Sequence, residues 1–193
     1  SLEDSGEIEV VFVGLNPDGT VNLAKLEQEL TEDTALVSVM HVNNEVGAIN
    51  DLAAVSALIK SRAPQALLHS DGVQAFCKLP FARLPVDLYS ISAHKFHAPK
   101  GVGALYVKAG VKFAGGQIGG GQEKNLRSGT LNVPGILGLD AALEQYQAHQ
   151  AEWIANMRDC KLRLWQNLST IPDVFLNGPA LEEGAPHILN VSF

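Results

Sequence analysis

Three short polar clusters, each directly behind an apolar run, hold the residue types that could do chemistry. Asn44 follows Ala35 to Val42, Asp71 follows Ala66 to Ser70, and Ser92-Ala93-His94-Lys95 follows Asp87 to Ile91. A lysine amine condenses with an aldehyde, and small polar donors beside it suit a phosphate. Lys95 is therefore a candidate to carry pyridoxal phosphate (PLP) as a Schiff base. Taken alone, the tetrapeptide equally describes a solvated loop lysine beside a surface or core histidine. The convergence of three strand ends is what favours the cofactor.

Such a site needs a buried scaffold. With 193 residues, 46% of them hydrophobic, the chain can bury the core of one substantial α/β domain, or of a large domain and part of another. The net charge of −7, the pI near 5.3 and the lack of any lysine or arginine cluster argue against a nucleic-acid partner and for a small ligand. No stretch approaches the roughly 18 apolar residues of a membrane span, and the acidic start Ser1-Leu2-Glu3-Asp4 is unlike a signal peptide. Cys77 and Cys160 have no CxxC spacing, which argues against a zinc site or disulfide framework and fits a reducing compartment, with the cytoplasm as the expected location.

Along the chain, Ile8 to Val13 reads as a short β-branched strand and Asn16-Pro17-Asp18-Gly19 as a turn. Asn22 caps a helix whose Leu23, Leu26 and Leu30 share a face; Asp51 caps a second, with Leu52, Val55, Leu58 and Ile59 inward. Between and after them, Ala35 to Val42, Ala66 to Ser70, Val86 to Ser92 and Gly103 to Val107 read as strands, with a short helix over Gly72 to Phe76. Strands alternating with helices imply a mostly parallel sheet whose ligand lies outside the strands' carboxyl ends.

The stretch Ala114 to Gln122 has five glycines, suited to tight turns or to close approach of a ligand or subunit. Pro134 to Leu168 reads as one long helix leaving the first domain, and His187 to Phe193 as a strand with no following partner. His41, His69 and His97 read as core or cleft-wall residues, and Cys77 and Cys160 as packing residues.

Five blocks occur together in order: Met40 to Gly47, His69 to Gln74, Ser92 to Lys95, Pro99 to Tyr106, and Gly119 to Glu123 followed by Arg127-Ser128-Gly129-Thr130. In these the chain resembles the cysteine desulfurases of the NifS/IscS type, in the class V aminotransferase group of fold-type I PLP enzymes. The resemblance is clear from about Ala35 to Ala142 and weaker to Phe193. It implies an α/β fold: a three-layer, mostly parallel sheet with helices on both faces, plus the start of a smaller α+β domain. The implied division is a PLP-binding large domain over 1–133 and a linking helix with the start of a small domain over 134–193.

The resemblance also implies roles. Lys95 would anchor the cofactor and move a proton at the substrate Cα. Asp71 would pair with the ring nitrogen, Gln74 would hydrogen-bond the phenolic oxygen, and Asn44 would lie near that oxygen and the substrate carboxylate. Ser92 and His94 would hold the phosphate, and Thr130 would reach a phosphate across a homodimer interface. Each has a plainer alternative: Asp71 as a helix cap, Asn44 and Gln74 as turn-closing amides, Thr130 as a loop hydroxyl.

The implied reaction converts L-cysteine, or a similar small amino acid, to alanine. Its sulfur leaves as a persulfide on an enzyme cysteine and passes to an iron–sulfur scaffold or other acceptor protein. Selenocysteine lyase shares the cofactor motifs, an aminotransferase of the same group ranks lower, and a non-catalytic interaction module is the alternative of another class. The family's stacking ring, mobile cysteine and carboxylate-binding arginine have no match here, so the expectation is a fragment without activity of its own.

Overall fold

Capped helices alternate with short strands through the first half of the chain. The computed structural model describes residues 2–80, 82–112 and 117–193. Helix α1 (Leu23–Glu29) begins at Asn22, whose side chain accepts from Lys25 N, and α2 (Leu52–Arg62) begins at Asp51, which accepts from Ala53 N and Ala54 N. Both caps satisfy backbone donors that a helix start leaves open.

Strands β1 (Leu36–Met40), β2 (Leu67–Asp71), β3 (Leu88–Ser92) and β4 (Gly103–Val107) form one sheet in the order β1-β2-β3-β4. The first three are parallel and β4 runs antiparallel to β3. The α/β class with a mostly parallel sheet is thus realised. Asp87, just before β3, ties the strands together by accepting from Leu68 N at 3.0 Å and Lys108 Nζ at 2.8 Å.

One face of the sheet carries the main core. Val37, Leu68 and Tyr89 pack with Leu26 of α1 and Leu30 at its C-cap, and with Leu52, Val55 and Ile59 of α2. Each such burial contributes about 1.5–3 kcal/mol. The opposite face carries a polar row: His69 Nδ1 and Nε2 each lie 2.8 Å from a hydroxyl, those of Ser38 and Ser90.

Helix α3 (Val133–Leu168) is 36 residues long and starts at Asn132, which accepts from Gly135 N. It docks through Tyr146 onto a second cluster with Cys77, Ala93, Phe96 and Ala98. Beyond it, β5 (Phe175–Asn177) and β6 (Asn190–Ser192) form an antiparallel pair. A third cluster, Val42, Ala75 and Ala185 with Ile49, Leu79 and Ile188 around it, fastens the segment before β6 to the loops behind β1 and β2.

Four expectations are corrected. Residues 8–13 form no strand, and Phe12 is 91% exposed; β-branched composition makes a strand only where a neighbour accepts its backbone hydrogen bonds. Residues 73–79 form successive turns rather than a helix, since Cys77 has φ 63°, outside the right-handed helical region. The terminal strand shortens to Asn190–Ser192, and its partner is the preceding β5. Cys160 is exposed on α3, whereas Cys77 is buried as expected. Of the glycine-rich stretch, residues 114–116 lie outside the described residues.

Candidate functional site

The parallel strands deliver their last residues to one end of the sheet, with Met40 in register with Asp71 and Asp71 with Ser90. After β3 the chain turns at once through a 3-10 helix, Ala93–Phe96, that carries His94 and Lys95. Ala93 and Phe96, three residues apart and so on one side of a 3-10 turn, are buried and anchor it. His97 closes it at φ 71° and meets Trp153 edge-on, fixing the turn against α3.

Asp71 Oδ1 accepts from Val73 N at 2.9 Å, the local turn that the plainer reading of this residue requires. One carboxylate oxygen suffices for that bond, so the second stays available to a ligand. Gly72 N donates to Ser90 O at 2.9 Å, and His41 N to Asp71 O at 2.8 Å. The Asp71 backbone is thus held by both neighbouring strands. Below it, His41 Nδ1 lies 2.9 Å from the Tyr89 hydroxyl, and burial lowers the His41 pKa.

Gln74 makes a contact with His187, Nε2 to Oε1 at 3.4 Å. The turn after β1 is closed by Asn43, which accepts from Glu45 N and Val46 N, leaving Asn44 exposed beside it. Ser92 Oγ and His94 Nδ1 are 2.9 Å apart, a hydroxyl and an imidazole hydrogen-bonded to each other at the start of the lysine turn.

Sequence reasoning missed Lys78, Lys161 and His187. Burial and the charge of Lys95 lower the Lys78 pKa. Burial, then Lys78, Lys161 and Lys95, push the His187 imidazole down to about 4. Among the described residues no ion pair joins these three lysines to a carboxylate. Nothing in the local sequence marked Lys78 or Lys161, and nothing in the terminal run marked His187.

The structure therefore brings Asp71, Gln74, Ser92, His94 and Lys95 to one end of the sheet, with Asn44 on the adjoining loop. Thr130 is not brought there by any described contact: it is exposed in a separate cleft of about 500 Å³ with Gln122, Ser128 and Gly129. The donor set fits PLP. A carboxylate, an amide, a hydroxyl with an imidazole, and an amine amid surplus positive charge match a ring nitrogen, a phenolic oxygen, a phosphate and an aldehyde.

The fold is an α/β sheet with a lysine turn and a donor set that fits PLP, and comparison with known proteins gives the family. The model of the family "Aminotransferase class-V" matches residues 1–193, and the chain belongs to that family. Membership supports PLP as the group that this end of the sheet takes. The chain is 44% identical to the cysteine desulfurase IscS of Photorhabdus laumondii and 42% identical to that of Escherichia coli, in both cases over 100% of its own length and 48% of the relative's. It therefore spans about half the length of the curated relatives it matches.

Among solved structures, a NifS-like protein superposes with a TM-score of 0.92 at 41% identity, covering 98% of this chain and 52% of that one. DndA from Streptomyces lividans gives 0.88 at 37%, covering 100% and 55%.

Proposed function

We propose that the chain supplies the cofactor-binding half of a PLP-dependent cysteine desulfurase, which converts L-cysteine to L-alanine and passes the sulfur to an enzyme cysteine as a persulfide. The observation that carries this is the placement of Lys95 on the turn directly behind β3, with Asp71 at the end of the adjacent strand. The similarity to desulfurases over the whole chain directs the reading to cysteine.

When bound, PLP supplies an electron sink that eases chemistry at the substrate Cα. Lys95 would be the covalent anchor of that group, and its amine would move the proton at that carbon. Asp71 holds the proton on the ring nitrogen. Gln74 donates to the phenolic oxygen, Asn44 lies near that oxygen and the substrate carboxylate, and Ser92 and His94 hold the phosphate. Thr130 reaches the phosphate bound by the partner of a homodimer. Buried Cys77, its thiol pushed up to about 12 chiefly by burial, is unfit as sulfur acceptor, since the thiolate is the nucleophile.

This reading divides the chain into a large domain over 1–133 and a linking helix with part of a small domain over 134–193. It places the whole protein in the cytoplasm, handing sulfur to an iron–sulfur scaffold or thiolation partner. Among the described residues no helix is long and apolar enough to cross a membrane.

The test is alanine formation from L-cysteine by the PLP-loaded whole protein of which this chain is proposed to be the cofactor-binding half, with sulfide released in the presence of a thiol reductant. Stoichiometric alanine and sulfide that vanish in Lys95→Ala support the reading; transamination to 3-mercaptopyruvate without sulfide release contradicts it.

A further inference from the structure

Gln74 and His187 lie 113 positions apart in sequence, and their contact rests on a packed base. Ala75, next to Gln74, and Ala185, two residues before His187, belong to one buried cluster with Val42, closed by Leu79 and Ile188. Ala185 N donates to Gly47 O at 2.8 Å, and Lys161 Nζ donates to Ala185 O at 3.0 Å. A Cβ on Gly47 would fall 3.0 Å from Ile188 Cβ, so glycine there lets the segment approach. The imidazole is thereby fixed from α3 and from the loop behind β1.

The chemistry of the two groups favours one orientation, with Gln74 Oε1 facing His187 Nε2. Gln74 Oε1 only accepts, so His187 Nε2 carries the proton and donates. The neutral ring then leaves Nδ1 as a bare acceptor, and Nδ1 is buried with no hydrogen-bond partner among the described residues. The reverse arrangement, with the Gln74 amide donating to Nε2, would strand an N–H at Nδ1, the rarer defect in protein interiors. An amide has one accepting end and one donating end. With Oε1 engaged, the NH2 group faces away from His187.

We propose that His187 is a positioning residue that fixes which end of the Gln74 amide faces the cofactor, so that NH2 rather than the carbonyl meets the phenolic oxygen. The inference rests on the reading of Gln74 as partner of that oxygen.

The pH titration of visible absorbance in the PLP-loaded full chain tests it. A donor to the phenolic oxygen stabilises its negative charge and lowers the pH at which the Lys95 Schiff base loses its proton. Gln74→Leu raises the midpoint by about one pH unit. His187→Leu raises it by less, because a freed amide presents either end. His187→Gln, whose own NH2 can donate to Oε1, returns the midpoint toward wild type. Gln74→Leu with His187→Leu matches Gln74→Leu alone, since His187 acts through Gln74.

A wild-type midpoint in His187→Leu beside a shifted Gln74→Leu overturns the role of His187 and leaves that of Gln74. An unshifted Gln74→Leu overturns the reading of Gln74 and this inference with it. His187→Asn, too short to reach Oε1, is read the same way if the leucine variant does not fold. A purely structural role would move the melting temperature without moving the midpoint.

Discussion

The phenol ring of Tyr89 occupies the volume that a Cβ on Gly72 would need, with its Cζ, Cε1 and hydroxyl oxygen all inside contact distance of that position. Glycine directly after Asp71 thus lets a buried ring from β3 support the end of β2, and the ring's hydroxyl continues to His41. Gly72→Ala is expected to destabilise the protein by about 1–3 kcal/mol through overpacking. Thermal melts of Gly72→Ala, Tyr89→Ala and the double variant check this. The double variant loses less than the sum of the two, and strict additivity would deny the contact.

Asp71→Asn separates the local role of this residue from its chemical one. The amide oxygen still accepts from Val73 N, so stability changes by under about 1 kcal/mol. On the proposed function, turnover of L-cysteine by the whole protein falls on the order of 100-fold or more, because a neutral side chain no longer holds the ring nitrogen's proton. Urea melts and steady-state kinetics on one preparation give both values.

His187 makes a signed contribution to stability against pH. Its pKa falls from the ordinary 6.5 to about 4 on folding, first through burial and then through Lys78, Lys161 and Lys95. Between these values the unfolded chain binds more protons, so stability from this group is full above 6.5 and is lost as pH falls through about 4. The loss is on the order of 1–3 kcal/mol after allowance for partial exposure. Urea midpoints of wild type and His187→Gln should diverge across that window, the variant falling less steeply.

The two thiols differ in reach. Cys77 is 2% exposed and Cys160 is exposed on α3. An aromatic disulfide reagent at pH 8 should titrate one thiol in the native protein and two in denaturant. Cys160→Ser should abolish the native reaction and leave one thiol in denaturant.

The strands that carry the site were legible because each is a short apolar run ended by a polar residue, and the caps Asn22 and Asp51 because Asn and Asp before an apolar periodicity mark a helix start. Lys95, Asp71 and Asn44 stood out through their positions behind those runs, and Gln74 through the family resemblance. Residues 8–13 misled because strand composition says nothing about the presence of a neighbouring strand. The turns at 73–79 and the exposure of Cys160 depend on a left-handed Cys77 and on which face of α3 packs, neither set by local sequence. His187 was invisible because its place at the site comes from packing between Ala75 and Ala185 across the chain.

The most direct test is borohydride reduction of the purified protein after incubation with PLP, followed by peptide mapping. The account predicts loss of the visible Schiff-base absorbance and one stoichiometric pyridoxyl adduct on Lys95, absent in Lys95→Ala. No adduct, or label spread over Lys78, Lys161 and surface lysines with Lys95 unmodified, would contradict it.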